Sequence, residues 1–485
     1  MVASEALPFA KSGGLADVVG ALPAALGRIG WDVTVVLPRY RGVSAGEIVD
    51  RFSLPLGGFT ANLECHRVRL ADRARAILVD CPELYDRAGL YYVDNVDFWD
   101  NPRRFGVLTR AAIELAARAE QPPSIFHGHD WHAGLLPVYL RSTYADHPVV
   151  GRIPSVFTIH NLAYQGNFTA DWLPRLDLPW TMLSTANMEF WGQISFLKGG
   201  IVFADQITTV SPTYAEEIQT PEAGFGFDGI LRSRGAHLSG ILNGIDTTDW
   251  DPEHDPNLPA PFSAADLSGK EAAKAEVLAR YGLPADRATR ARPIIGMISR
   301  MVDQKGFDLV EQLAPALPAL DATFIVLGTG EPRYEEMWRA LAAANPTRIG
   351  VTIGFDEPLS HLIEGGADMF LMPSQWEPCG LNQMYSLRYG TVPVVRGVGG
   401  LADTVRDCRP GVRGATGFVF VDYTAEALLD ALTRALETFK DRRKWRALQA
   451  AGMKQDLSWD RSAREYVKIY ESALAKASAD RLRHP

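Results

Sequence analysis

The chain has 485 residues, 47% of them hydrophobic and 22% charged, with 43 Gly and 31 Pro; this describes a folded chain of two or three domains and excludes disorder, collagen and coiled coil. The formal net charge of -9 disfavours a nonspecific grip on nucleic acid or an anionic membrane and fits a neutral or small anionic substrate. Four cysteines without a CxxC offer neither a disulfide framework nor a cysteine zinc site, no apolar run reaches the ~18 residues that span a bilayer, and no leader-like segment opens the chain, so the expected compartment is a reducing cytoplasm.

Met1-Val2-Ala3 reads as the last residues of a buried strand, and a few more apolar residues are expected upstream. Glu5 to Gly14 is then a loop, Leu15, Val18, Val19, Leu22 and Leu26 follow at helical spacing, and Trp31 to Leu37 is the next buried strand. Ala76–Val79, Ser124–His127, Ser155–Ile159 and Gln206–Val210 are short apolar runs of the kind that form parallel strands buried on both faces. Between them, Pro82 to Arg104 carries Tyr85, Tyr91, Tyr92, Phe98 and Trp99, and reads either as a loop packed by its own aromatics or as a sugar-contacting edge. Asp251 to Ser268, rich in Pro, Asp and Ala, is placed between domains. From Pro293 a second series of strands is expected at Ile294–Ile298, Thr323–Leu327, Gly350–Ile353, Met369–Met372, Val392–Val395 and Gly417–Val421, a second doubly wound α/β domain. Ala425 to Ala477 reads as successive helices broken near Gly452 to Trp459.

One short echo stands out: residues 13–19 read GGLADVV and residues 399–405 read GGLADTV. In each half a Gly pair precedes an amphipathic helix, where a ligand can approach the backbone and free N–H groups and the helix dipole face an anion. Lys11 stands two residues before the first pair; its bland alternative is a solvated surface lysine. Arg300 and Lys305, at an expected strand-to-helix turn, are spaced to hold a diphosphate and to stabilise its charge as it departs. Glu377, in Pro373–Asn382, is either a site carboxylate or a cap for the helix that Gly380, Leu381 and Asn382 open, while Cys379 lacks a histidine neighbour and reads as structural. The His127-Gly128-His129-Asp130-Trp131-His132 segment suits a metal-dependent hydrolase, yet with His160-Asn161 it fits hydrogen bonding to sugar hydroxyls as well. Asp249-Trp250-Asp251 matches a metal-holding DxD but sits in a Pro-flanked connector, which makes the match coincidental.

The segments KSGGLADVVGALP, HGHDWHAGLLP, TIHNLAYQG, SFLKGG, TVSPTYAEEI, LNGID, ISRMVDQKG, GFDEPLSH, PSQWEPCGLNQMYSLRYG and GGLADTV, in order from residue 2 to about residue 470, together resemble the bacterial glycogen synthases and plant starch synthases. That resemblance implies the α/β GT-B fold, two Rossmann-like domains facing a central cleft with the last helix returning to the first, divided here as 1–242, 243–456 and 457–485. It implies transfer of glucose from ADP-glucose to the nonreducing end of an α-1,4-glucan such as glycogen, with retention and release of ADP, and neither a metal nor another cofactor. By motif match, Glu377, Arg300, Lys305, His160 and Asp130 carry the chemistry. Lys11, Gly14, Asn243, Arg300, Lys305, Phe355, Cys379, Gly380, Leu381 and Asn382 hold the donor, with Phe355 stacking on the adenine; Asp17, Asp130, His160 and Asn161 lie around the transferred glucose and the acceptor. Gln375 replaces a usual Arg, Phe355 lacks the hydroxyl of a Tyr found in some members, and Tyr385 stands where some related transferases carry a second Glu. The alternatives are a GT-B enzyme using UDP-glucose or a small acceptor, a metal-dependent hydrolase on His127 and His129, and an inactive glucan-binding protein.

Overall fold

The computed structural model describes residues 1–94 and 96–483, with side chains through residue 479; Asn95, inside the aromatic insertion, and the last two residues of the tail lie outside the described residues. The chain divides into two compact units, Met1–Gly244 with the segment from Trp459 onward, and Ile245–Ser458, the junctions falling two residues beyond the expected 242/243 and 456/457.

In the first unit β1 (Val33–Pro38) pairs in parallel with β4 (Ala74–Asp80), and β2 (Glu47–Leu56) and β3 (Phe59–Ala71) extend the sheet as an antiparallel edge. On the other side β5 (Phe126–His129), β6 (Ser155–Ile159), β7 (Gln206–Thr209) and β8 (Leu238–Gly240) run parallel. The two halves meet at Val2, which bridges Gly128 on β5 and Val36 on β1. Val2 N donates to His127 O and Val2 O accepts from His129 N, while Ala3 N donates to Val36 O and Met1 O accepts from Val36 N. The opening stub is thus the central strand. The chain runs outward from it through β1 and β4, then returns to β5 and runs the other way, so the winding reverses between Val2 and β5.

Three sequence expectations need correction here. The strand expected at Ser124–His127 is Phe126–His129, because its histidines are taken into the interior by partners: His127 Nδ1 meets Tyr470 Oη at 2.8 Å and Nε2 meets Thr158 Oγ1 at 2.6 Å. The hairpin of β2 and β3 was not anticipated, since β2 buries only Leu54 and Leu56 and leaves Ile48 and Val49 exposed, so its apolar residues follow no strand period. The aromatic insertion contains a short hairpin, Tyr92–Val93 with Val96–Asp97, and leads into the helix Asn101–Arg118.

The second unit is a six-stranded parallel sheet of β9 (Ile294–Ile298), β10 (Thr323–Gly328), β11 (Ile349–Ile353), β12 (Met369–Met372), β13 (Val392–Arg396) and β14 (Phe418–Phe420), in the order β11-β10-β9-β12-β13-β14. Continuous apolar runs give these strands their burial on both faces, and their observed spans follow the expected ones closely. The winding reverses between β9 and β12, which is where open α/β sheets bind ligands. Asp251–Ser268 is not a connector between domains. It belongs to the second unit, with Phe262 and Leu267 packed on Tyr389 and, just before it, Trp250 stacked at 3.7 Å between His361 and Tyr385. Those anchors are spaced without a period, which hid them.

The tail forms the helices Ala425–Lys440, Arg442–Met453 and Trp459–Arg483. The last packs Trp459, Ala463, Tyr466 and Tyr470 into the first unit's core beside Val18, Leu22 and Val35. No described helix is long and apolar enough to cross a membrane.

Candidate active site

In the first unit the candidate residues stand at the C-terminal ends of neighbouring strands. After the Val2 strand, the buried carboxylate of Glu5 organises the loop: it accepts from Ser12 N, from Ser12 Oγ at 2.6 Å and from Gly13 N at 3.4 Å, and Tyr91 Oη donates to it as well. The first helix, Gly14–Arg28, begins there with its N-terminus exposed, and a Cβ placed on Gly13 or Gly14 would meet nothing within 4 Å. Lys11 Nζ pairs with Asp17 Oδ1 at 2.7 Å on the same surface, a half-exposed contact of small energetic weight that an incoming anion can exchange.

Asp130 follows β5 with φ 54° and ψ -177°, a region other residues than Gly occupy only at a cost of about 1–3 kcal/mol. Its Oδ1 accepts from His160 N at 2.7 Å. Burial pushes its pKa up to about 7, against the pull of the His160 and Asn161 N–H groups. His160 follows β6; burial pushes its pKa down to about 3, and its Nε2 lies 3.1 Å from His129 Nδ1, so the ring is neutral and hydrogen-bonded. Asn161 Oδ1 accepts from Ala163 N at 3.1 Å. Asn243, three residues past β8 in a loop that Ile241 opens, is buried with no partner for Oδ1.

In the second unit Arg300, Lys305, Ser374, Glu377, Gly380 and Asn382 line one cavity of about 200 Å3 at the reversal point between β9 and β12. Lys305 Nζ donates to Glu377 Oε2 at 2.6 Å and Ser374 Oγ to the same oxygen at 2.9 Å. Asn382 Nδ2 donates to Ile298 O at 2.6 Å, tying the loop after β12 to the end of β9. Glu377 is therefore no helix cap: the helix Asn382–Arg388 has no side-chain cap. Gly380, at φ +72°, turns the chain into that helix, and Leu381 also faces the cavity. Cys379 does not line it; it is buried behind, its carbonyl accepting from Gln383 Nε2 at 3.0 Å. Phe355 is 83% exposed after β11, outside the cavity.

The second Gly pair corrects an expectation. Gly399 has φ +43°, and Cβ atoms on Gly399 and Gly400 would lie 2.0 Å from Glu377 O and 2.1 Å from Cys379 O. These glycines admit the protein's own loop rather than a ligand. Tyr385, at the position of a second carboxylate in some transferases, is stacked on Trp250.

The metal-hydrolase alternative loses its ligand set. His127 and His129 are interior, bonded to Tyr470, Thr158 and His160, and neither belongs to a group of three ligand-competent side chains among the described residues. Nor do the two DxD carboxylates converge, for Asp251 is taken by His254 at 2.7 Å and Arg388 at 2.8 Å. Sequence reasoning missed Glu5 and Ser374, and it named Tyr91 without its bond to Glu5. Glu5 had one available signal: an acid directly after a buried strand and before a Gly-rich loop, where free N–H groups need an acceptor.

Residues 1–233 match the family model of the starch synthase catalytic domain, and residues 285–449 that of glycosyl transferases group 1. A glycogen synthase of Anaeromyxobacter dehalogenans is 50% identical over 475 residues, 97% of this chain and 98% of that one. One from Koribacter versatilis is 46% identical over 474 residues, 97% of each. The solved catalytic domain of starch synthase IV from Arabidopsis thaliana, bound to ADP and acarbose, superposes with a TM-score of 0.88 at 32% identity over 98% of both chains.

Proposed function

The chain belongs to the glycogen and starch synthase family and is a glucosyltransferase of glycogen synthesis with the GT-B fold; from that premise we propose that its donor is ADP-glucose and that it extends the nonreducing end of an α-1,4-glucan with retention of configuration. The observation that carries this proposal is the convergence of Arg300, Lys305 and the amide-rich turn at Gly380 and Leu381 on one cavity at a sheet reversal point, a fit for a nucleoside diphosphate. The structural relative that binds ADP supports adenine as its base.

The bond from the glucose anomeric carbon to the β-phosphate oxygen breaks, and the glucan hydroxyl oxygen forms the new bond on the same face. The hydroxyl proton passes to the departing phosphate oxygen, so ADP leaves carrying it. Arg300 and Lys305 offset the charge that grows on that oxygen. Retention by double displacement needs two carboxylates about 5 Å apart. Glu377 has its Oε2 held by Lys305 and Ser374, and the second position is a stacked tyrosine, so front-face transfer is the route these residues support. Glu377 then steadies the positive glucosyl group electrostatically, while Asp130, neutral His160 and Asn161 hydrogen-bond sugar hydroxyls. Lys11 and Gly14 also serve the donor, Asn243 and Phe355 its sugar and base, and no metal enters the chemistry.

The test is transfer of labelled glucose to glycogen after exhaustive chelation. Incorporation from ADP-glucose should far exceed that from UDP-glucose and survive the chelator. Preference for UDP-glucose overturns the donor assignment; loss of activity that only a divalent ion restores overturns the metal-free chemistry.

A further inference from the structure

On the antiparallel edge of the first unit, Glu64 of β3 lies opposite Asp80 of β4, and His66 follows two residues along β3 on the same face. His66 Nε2 is 3.6 Å from Glu64 Oε2 and 3.6 Å from Asp80 Oδ2, and the three ligand atoms lie within 4.8 Å of one another. The ring is 4% exposed and its Nε2 has no hydrogen-bond partner. Its Nδ1 lies 3.3 Å from Gly46 O, an oxygen that only accepts, so Nδ1 carries the proton of the neutral ring. The Nε2 lone pair then lies buried beside two carboxylate oxygens with no donor of its own, an arrangement that one cation bound to all three atoms would satisfy.

A proton on Nε2 would draw an oxygen to the ~2.7–3.2 Å of a hydrogen bond. The observed 3.6 Å is too long for that and close to the ~3.4 Å edge of a tetrahedron whose metal–ligand bonds are ~2.0–2.1 Å. The outer contacts are those of a metal site too: a histidine donating its other N–H to a backbone carbonyl, and carboxylates oriented by arginines, Arg51 Nε on Glu64 Oε1 at 2.8 Å and Arg39 on Asp80 Oδ2 at 2.6 Å. Because those guanidinium groups already balance both carboxylates, a hard cation gains little, and an ion that favours imidazole is selected.

We propose that Glu64, His66 and Asp80 bind one divalent transition-metal ion of the zinc class, completed by water, which clamps β3 to β4 and takes no part in glucosyl transfer. The whole chain, freed of metal by chelation, is titrated with zinc chloride and in parallel with cobalt and magnesium chlorides. One equivalent of zinc should bind and raise the unfolding temperature, and cobalt should show a tetrahedral absorption band. Glu64→Gln and His66→Gln should each weaken zinc at least tenfold, whereas Glu47→Gln, a carboxylate elsewhere on the same edge, should not. Glu64 is half-exposed, so Glu64→Gln decides the matter if His66→Gln fails to fold. Absence of stoichiometric zinc, equal binding in the Glu64→Gln protein, equal binding of magnesium, or an imidazole that titrates without regard to zinc each overturns the proposal. Transfer activity measured well below the unfolding midpoint should be the same with and without zinc.

Discussion

The segments GGLADVV at residues 13–19 and GGLADTV at 399–405 differ in one residue, yet their glycines answer to different neighbours. At the first, a buried carboxylate holds the loop from beneath and the outer faces of Gly13 and Gly14 stay open. At the second, the glycines press against the carbonyls of Glu377 and Cys379, so the space that a side chain would need is filled by the loop that presents the site carboxylate. A Gly pair before a helix marks a close approach; whether a ligand or the chain itself makes that approach is decided by what lies across from it.

Substitution can break this contrast. The largest effect is expected for Gly399→Ala, which meets Glu377 O at 2.0 Å with φ at +43°: stability should fall by about 3 kcal/mol or more in urea denaturation, and transfer activity should be nearly lost. Lys305→Ala, which removes the cation holding the same Glu377, should lower kcat ~100–1000-fold with a smaller change in KM; near-normal kcat would show that Lys305 does not support the leaving group. Gly14→Ala should do the reverse of Gly399→Ala, leaving stability unchanged or raised by up to ~1 kcal/mol while kcat/KM for the donor drops roughly tenfold. Full activity in that variant would remove the ligand from the first motif.

The smallest effect concerns the strand end beside the first motif. Asp130 has its pKa raised to about 7 from an ordinary 3.8, so it binds a proton more tightly when folded, and the stability it contributes is complete below about pH 4 and lost as pH rises through 7. Asp130→Asn should therefore gain stability relative to the parent between pH 5 and pH 8 and differ least at the acid end. Thermal unfolding across that range reads the difference, and a parallel pair of profiles would place the Asp130 carboxyl at its usual pKa.

How much of this was legible in the residues follows from where burial is apolar. The second unit's strands are unbroken apolar runs, and Ile294–Ile298 and Met369–Met372 were readable to the residue. The strand expected at Ser124–His127 lies two residues early, because the burial of His127 is satisfied by hydrogen bonds from residues as distant as Tyr470, which no local window contains. The β2–β3 hairpin scatters its buried residues over both faces, Leu63 and Cys65 on one and His66 on the other, with exposed residues between them, and so lacks an apolar run. In the site, Arg300, Lys305 and Glu377 were found through their motifs and are gathered in one cavity. Glu5 escaped because its role is to satisfy backbone N–H groups, and every residue has those.

The return of the last helix to the first unit also sets an order in time. Ile245–Ser458 is one uninterrupted stretch, whereas the first unit keeps part of its core, Trp459, Tyr466 and Tyr470, for the end of synthesis. Domains commonly fold as they leave the ribosome, the N-terminal one first. Here the opening helix of the first-made unit lacks its cover, Trp459, Tyr466 and Tyr470, until the second unit has emerged whole.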